Sequence, residues 1–218
     1  MVVHIINESD EVSNTYVIDD EQGNAVVVDP GNGASPSIRD FLVRRGLRLK
    51  AVLLTHGHFD HIRGLPYLME TFPQAPVYMH ELETEFLYDP RLNCSYLDAN
   101  IAPVSYDIKA LSLNDGDVLN LLKKDFHIMH TPFHTRGSVC YYLPGEGIVF
   151  TGDTLFRGSI GRSDLPTSSP RTIMASLAKL KALPPETKVY PGHEKSTTME
   201  RELKLNTFLR KEYISNNR

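Results

Sequence analysis

The stretch that decides the fold is Thr55-His56-Gly57-His58-Phe59-Asp60-His61. Three histidines and an aspartate lie within its last six residues, a density that neither an ordinary core nor an ordinary surface requires. The apolar run 51–54 before it predicts a buried strand, and apolar residues at helical spacing over 62–72 predict a helix after it. The cluster therefore lies in a loop between the carboxyl end of a strand and the amino end of a helix, where open α/β folds place their active sites.

Periodicity predicts alternating strands and helices on both sides of this stretch. The predicted strands are 2–6, 14–19, 25–28, 51–54, 77–79, 118–122, 126–129, 139–143, 148–150 and 187–190. The predicted helices are 35–46, 62–72, 80–88, 171–182 and 197–210. Residues 89–106 carry little periodicity, and we expect them to form a long connection that covers the site.

The composition is that of a folded domain with little net charge. The chain has 218 residues, 41% of them hydrophobic, and a formal net charge of −4. It has no run of Lys and Arg that suggests nucleic-acid binding. It also has no apolar stretch of membrane-spanning length and no signal-peptide pattern at its N-terminus. We therefore expect a cytoplasmic protein that binds neither nucleic acid nor membrane, with Cys94 and Cys140 as reduced, structural thiols.

The two halves of the chain, about 1–110 and 111–218, follow a similar order of elements. Each half contains a hairpin, an acidic residue at the end of its second strand, and then a helix. The acidic residues are Asp29 in the first half and Asp153 in the second. This order indicates an internal duplication within a single domain, 1–218.

Three further side chains occupy loops at strand ends, as the opening cluster does. His134 follows the strand 126–129, and Asp153 and His193 follow two later strands. Because we expect the carboxyl ends of the strands of one sheet to lie at one edge, these side chains should converge with the cluster. The seven candidate metal ligands are His56, His58, Asp60, His61, His134, Asp153 and His193.

Five histidines and two aspartates are too many ligands for one tetrahedral ion and suit two ions that share a carboxylate. Imidazole and carboxylate without thiolate suit zinc, iron or manganese. We expect two divalent ions, zinc first, with iron and manganese as the alternatives. Spacing assigns the first ion to His56, His58 and His134, the second to Asp60, His61 and His193, and the bridge to Asp153.

The remaining histidines and Asp29 are not assigned to the metal. Asp29 is expected at the end of its hairpin, behind a ligand histidine. The histidines expected to be structural or on the surface are His4, His80, His127 and His130.

Together these residues resemble the metallo-β-lactamase-fold hydrolases. Within that superfamily, three motifs are similar to those of the glyoxalase II (hydroxyacylglutathione hydrolase) group. The motifs are Thr131-Pro132-Phe133-His134-Thr135-Arg136-Gly137-Ser138, Phe150-Thr151-Gly152-Asp153-Thr154-Leu155-Phe156 and Tyr190-Pro191-Gly192-His193. The resemblance implies an α/β fold, a four-layer αββα sandwich in which two mixed sheets are flanked by helices.

The resemblance also implies a metallo-hydrolase that acts as a thioesterase. The expected reaction is the hydrolysis of an S-2-hydroxyacylglutathione or related thioester by a metal-bound hydroxide, with Asp60 and Asp153 as catalytic residues. Arg157 and Arg162, in the loop after Asp153, are the candidate residues for holding a substrate carboxylate. Phe133 stands where the family has glycine, and we expect it to narrow the pocket.

Glutathione dependence stays open at this point. Glyoxalase II carries a C-terminal helical segment that helps to hold glutathione, whereas this sequence ends at Arg218. The resemblance is therefore to the short, single-domain relatives. The expected partner is a small-molecule thioester, and a homodimer is left open.

Two other classes of function remain as alternatives. One is a persulfide dioxygenase-like enzyme with a single iron held by His56, His134 and Asp153, or a hydrolase of another ester or lactone. The glycine before His193 favours the hydrolases. The other class is a metal-stabilised scaffold or flavin-partner domain, which the completeness of the seven-residue set disfavours.

Overall fold

The structure, a computed structural model, describes residues 1–6, 13–31 and 35–210. Its strands are β1 (Val2–Ile6), β2 (Thr15–Asp19), β3 (Asn24–Val28), β4 (Arg48–Leu53), β5 (Val77–His80), β6 (Ala110–Leu113), β7 (Val118–Leu121), β8 (Lys124–His130), β9 (Val139–Leu143), β10 (Ile148–Gly152), β11 (Lys188–Pro191) and β12 (Thr197–Thr198). Its α-helices are α1 (Ser35–Arg44), α2 (Phe59–Ile62), α3 (Leu65–Thr71), α4 (Ile173–Lys181) and α5 (Met199–Leu205). Short 3-10 helices cover Glu81–Leu87, Ser95–Leu97, Pro144–Glu146, Pro170–Thr172 and Thr207–Leu209.

The described strands form two mixed sheets of six. The first has the order β1-β2-β3-β4-β5-β6, with antiparallel pairs up to β3 and parallel pairs from β3 onward. The second has the order β12-β11-β10-β9-β8-β7, in which only β10 and β11 are parallel. The first sheet therefore uses described strands up to Leu113 and the second those from Val118 onward, while the duplication and the single domain over 1–218 stay predictions.

The central strands are buried on both faces, and the alternation of their side chains explains how. In β2, Val17 packs outward with the helices, whereas Tyr16 and Ile18 pack inward against the second sheet. In β3, Val27 packs outward and Val28 inward in the same way. Because both faces are covered, β2 is buried along its whole length, as is typical of a central strand in an α/β fold.

Helices close the two outer faces. Ile38 of α1 and Leu68 of α3 pack on the first sheet, and Leu177 of α4 and Met199 of α5 pack on the second. The layers therefore run helix, sheet, sheet, helix, which confirms the predicted αββα sandwich. No helix in the described ranges combines the length and apolar character that a membrane crossing requires.

Several predicted elements differ in the structure. The predicted helix 62–72 is two short helices, α2 and α3, because the chain turns at Gly64 and α3 starts afresh with Pro66 in its first turn. The predicted helix 80–88 is a 3-10 helix. Strands β6 and β12 were not predicted, since β6 is a partly exposed edge strand and β12 has only two residues. Both cysteines are free and buried.

Candidate metal centre

The candidate ligands lie on loops at strand ends, but the strands belong to both sheets. The cluster 56–61 follows β4 of the first sheet. His134, Asp153 and His193 follow β8, β10 and β11 of the second sheet. The expectation that a single sheet edge gathers all seven side chains is therefore wrong. They meet because the sheets pack face to face, so that two edges open onto one place.

The structure brings all seven side chains together in three overlapping groups. Within each group, one ligand atom of every residue lies within 4.8 Å of the others. The groups are His56 with His58 and His134, Asp60 with His61 and His193, and His56 with His61 and Asp153. The first two, hereafter the first trio and the second trio, are the sets that the spacing assigned to two ions.

Asp153 lies between the two trios. Its Oδ1 is 3.4 Å from His61 Nε2 in the second trio, and its Oδ2 is 3.3 Å from His134 Nε2 in the first. Oδ2 also lies 3.7 Å from His193 Nε2 of the second trio, so the carboxylate is within reach of both trios. This is the arrangement expected of a carboxylate shared by two cations.

The chemistry of the donor atoms fits divalent cations. His58 Nδ1 lies 2.9 Å from His134 Nε2, and His61 Nε2 lies 3.3 Å from His193 Nε2. Among the described residues, the buried atoms His56 Nε2 and Asp153 Oδ1 have no hydrogen-bond partner. Buried polar atoms are almost always satisfied, so this many converging lone pairs suggests bound metal.

Burial and charge set the protonation of these groups. Burial lowers the pKa of His56 well below its ordinary value and that of His58 to about 3, which keeps both rings neutral, the form that binds metal. Burial also opposes the charge of His61, but Asp60 and Asp153 overcome it and raise the pKa of His61. In turn, against the effect of burial, His61 lowers the pKa of Asp60 to about 2 and that of Asp153 well below its ordinary value.

A buried carboxylate, Asp29, holds the ligand loop from behind. It follows β3 at a φ of 48°, a left-handed conformation that aspartate adopts more readily than most residues. Its Oδ2 lies 3.1 Å from His61 Nδ1 and accepts a hydrogen bond of 2.6 Å from the Thr55 hydroxyl. The Thr55 oxygen in turn lies 3.1 Å from His56 Nδ1. The rings of His56 and His61 therefore direct Nε2 towards the centre. Asp29 lies behind a candidate ligand histidine, as predicted.

Backbone contacts fix the loops of the second sheet. His134 Nδ1 donates to the carbonyl of Arg162 at 2.8 Å, which leaves Nε2 free to bind. The loop of His193 is held from the first sheet by Asn14, whose N–H donates to the Gly192 carbonyl at 2.6 Å. The Asn14 side chain donates to the Pro191 carbonyl at 3.0 Å. The site is thus fastened across both sheets.

Close packing explains why a glycine, Gly192, precedes the last candidate ligand, His193. A Cβ at this position would collide with Asp153 Oδ1 and lie 2.8 Å from His61 Cε1. Only a residue without a side chain lets the His193 loop approach Asp153 and His61 this closely.

An open cleft of about 410 Å³ lies beside the centre. The ligand loop contributes Phe59 and Asp60 to its wall, and the connection 89–106 contributes Cys94, Leu97 and three neighbours. Residues of the connection therefore line the site, as predicted. The size is in the usual range for a small-molecule pocket.

The predicted substrate residues differ in position. Arg162 lines the cleft and forms a two-pronged ion pair with Asp164, with nitrogen–oxygen distances of 2.7 and 2.8 Å. Arg157 is exposed and is not part of the cleft wall. Phe133 does not narrow the cleft, because its side chain is fully buried in the core under α4. That expectation was wrong, since side-chain direction in a loop is not set by strand alternation.

Sequence reasoning missed several residues around the centre. Thr55 and Asn14 act through hydrogen bonds between distant segments, which no local pattern reveals. Glu83 accepts hydrogen bonds from two of the ligand loops, although its position in an apparently amphipathic helix gave no signal. Leu97 and Cys94 line the cleft from a segment without periodicity.

Relatives of this chain carry hydrolase names. It is 37% identical over 195 residues to "Probable metallo-hydrolase YqgX" of Bacillus subtilis, covering 89% of this chain and 90% of that protein. It is 37% identical over 172 residues to a hydroxyacylglutathione hydrolase of Xylella fastidiosa, covering 79% of this chain but 56% of that protein.

Solved structures agree with these relationships. The B3 metallo-beta-lactamase BLEG-1 superposes with a TM-score of 0.89 at 37% identity, covering 95% of this chain and 99% of that one. The di-iron-bound form of TTHA1623 superposes with a TM-score of 0.81 at 35% identity, covering 96% and 100%. ETHE1 from Myxococcus xanthus superposes with a TM-score of 0.74 at 28% identity, covering 95% and 84%.

The family is established by a match along most of the sequence. The pattern of the metallo-beta-lactamase superfamily matches residues 9–193, which include all seven candidate ligands. Together with the fold and the His/Asp cluster, this match supports a metal-dependent hydrolase. The chain belongs to the metallo-beta-lactamase superfamily.

Proposed function

We propose that this protein is a thioester hydrolase of the glyoxalase II type with two divalent metal ions, zinc first among the candidates. The observation that carries the proposal is the assembly of two ligand trios around Asp153, beside an open cleft. Cations bound there would supply an activated water near neutral pH and polarise a carbonyl group. The residues that would hold them are His56, His58, Asp60, His61, His134, Asp153 and His193. The di-iron form of a relative makes iron the first alternative to zinc.

The protein's own groups orient the reactants. Asp60 lines the cleft, and its Oδ2 lies 3.2 Å from His193 Nε2. Asp153, 7% exposed, lies deeper, between the trios. Both carboxylates could accept hydrogen bonds from the attacking water and so orient it. Such orientation removes much of the entropic cost of bringing water to the substrate.

The wall of the cleft favours a leaving group that departs without a proton. Among the described residues that form it, His58 is the only histidine, and it is a candidate ligand. Asp98 is already engaged by the backbone and side chain of Asn100. A thiolate is a weak base, because the pKa of its thiol is about 8.5, and it therefore leaves without a general acid. The amine or alkoxide of many other substrates needs a proton from such an acid.

The cleft offers both an apolar surface and one cation. Phe59, Leu97 and Leu165 give the apolar surface, and Arg162 gives the charge. We propose that Arg162 holds a carboxylate of the thiol carrier, for which it must exchange Asp164. The hydroxyacylglutathione hydrolase of Xylella fastidiosa supports a glutathione-linked carrier.

A persulfide dioxygenase-like reaction with a single iron is the second candidate. It would use His56, His134 and Asp153, whose side chains are also close together. The assembled second trio, with His61 and His193 Nε2 atoms 3.3 Å apart, favours two cations over one.

The deciding experiment is a substrate panel on protein of measured metal content. It contains S-lactoylglutathione, a neutral thioester without glutathione, a lactone, a β-lactam and glutathione persulfide with an oxygen electrode. We expect the two thioesters to be hydrolysed much faster than the lactone and the β-lactam. One iron per chain with persulfide-dependent oxygen uptake would instead establish the dioxygenase.

A further inference from the structure

Glu83 is a fully buried acid outside the seven-residue ligand set. It belongs to the 3-10 helix Glu81–Leu87, in which the neighbouring Glu81 and Leu82 are exposed. The relative exposure of Glu83 is 0%. An acid is buried in this way only where specific hydrogen bonds compensate for the lost water.

Two backbone N–H groups, in loops that follow strands of different sheets, donate hydrogen bonds to the Glu83 carboxylate. Gly57 N–H donates to Oε2 at 2.8 Å, and Gly137 N–H donates to Oε1 at 2.8 Å. Gly57 separates the candidate ligands His56 and His58. Gly137 belongs to the loop between β8 and β9 that carries His134. One carboxylate therefore joins the two loops that form the first trio.

The packing around these contacts requires both glycines. A Cβ on Gly137 would lie 2.7 Å from Glu83 Cγ, and a Cβ on Gly57 would collide with Phe86 on the same 3-10 helix. A second contact joins the helix to the loop, because Arg136 Nε donates a hydrogen bond of 2.9 Å to the Leu82 carbonyl. The segment is thus shaped to bring one carboxylate to both loops.

We propose that Glu83 is a positioning residue for the metal centre, which sets the first trio by holding the Gly57 and Gly137 N–H groups with one carboxylate. The inference rests on the proposed metal centre and does not depend on which substrate is hydrolysed. Among the described residues, the second trio is held differently, by Asp29 at His61 and by Asn14 at the His193 loop. Loss of Glu83 should therefore weaken one trio selectively.

The test is a zinc titration of the full-length metal-free protein and of Glu83→Gln. The amide of glutamine has one acceptor oxygen, so it can keep only one of the two N–H groups. Competition with a chelator measures affinity, and NMR of the histidine ring nitrogens identifies which rings bind. We expect zinc binding at His56, His58 and His134 to weaken about 10- to 100-fold, with His61 and His193 unchanged. Glu81→Gln, which removes an exposed acid from the same helix, should match the unsubstituted protein.

Unchanged affinity in folded Glu83→Gln, or equal weakening of both trios, would overturn the proposal. A failure of the unsubstituted protein to bind zinc would overturn the metal centre as well, whereas a failure of thioester hydrolysis alone would leave the role of Glu83 intact.

Amide hydrogen exchange on the unsubstituted, zinc-bound protein covers the case in which Glu83→Gln does not fold. Because one carboxylate holds both groups, the Gly57 and Gly137 amides should be protected to a similar degree. Exchange of either amide at the rate of an unprotected group would refute the shared contact.

Discussion

Asp29 Oδ2 lies 3.1 Å from His61 Nδ1 and binds the Thr55 hydroxyl that contacts His56. One carboxylate outside the ligand set thus orients a histidine of each trio, one directly and one through a hydroxyl. Asp29 Oδ1 also accepts the Thr55 N–H at 2.7 Å.

Replacing Asp29 by asparagine should weaken metal binding at both trios. The amide cannot accept all three hydrogen bonds, so the rings of His61 and His56 lose their fixed orientation. We expect metal affinity to fall about 10- to 100-fold at each trio. Chelator competition measures the change, with Asp19→Asn as a buried control outside the centre. Affinity equal to that of the unsubstituted protein would show that Asp29 does not orient the rings.

Asp153→Ala should abolish activity and leave the fold intact. The substitution removes the carboxylate between the trios, while the Asp153 carbonyl that accepts the Gly161 N–H remains. We expect thioester hydrolysis to fall at least about 100-fold with an unchanged far-UV circular dichroism spectrum. The exposed Asp107→Ala serves as the control. Full activity in Asp153→Ala would instead support a structural role for the metal.

Substitutions of the two candidate arginines should differ in their effect on KM. Arg162 lines the cleft and Arg157 does not. Arg162→Gln should raise KM for S-lactoylglutathione about tenfold and leave KM for a neutral thioester unchanged, because a charge-assisted hydrogen bond contributes roughly 1.5 kcal/mol. Arg157→Gln should change neither KM. An unchanged KM for S-lactoylglutathione in Arg162→Gln, or an equal rise in KM for both thioesters, would refute the carboxylate contact.

Glu83 should make stability depend on pH below neutrality. Burial raises the pKa of Glu83 from 4.5 to about 7, against the opposing hydrogen bonds from Gly57, Thr135 and Gly137. Between these values the native state binds more protons than the unfolded state. The contribution is therefore fully present below pH 4.5 and is lost as pH rises to 7, by about 3 kcal/mol at roughly 1.4 kcal/mol per unit.

Urea unfolding of the unsubstituted protein and of Glu83→Gln at several pH values isolates this contribution, since glutamine does not titrate. The difference between their unfolding free energies should fall by about 3 kcal/mol between pH 4.5 and 7 and then stay constant. A difference that does not vary with pH would mean that the Glu83 pKa is not raised.

Local patterns predicted the parts of this molecule that are themselves local. The strands before His56 and Asp153 are short-range features, and the structure places both candidate ligands at strand ends as expected. The four-layer sandwich followed from the resemblance carried by the motifs. Relations between distant segments were not predictable. The meeting of two sheets at the centre, the packing of Phe133 under α4 and the burial of Glu83 depend on tertiary contacts that no window of sequence contains.

The central claim is that two cations held around Asp153 drive thioester hydrolysis. Its most direct test is the rate of S-lactoylglutathione hydrolysis by metal-free protein as zinc is added in measured equivalents. We expect the rate to rise until two zinc ions are bound per chain and then to stay constant. Full activity at one ion per chain, or no hydrolysis at any zinc loading, would contradict it.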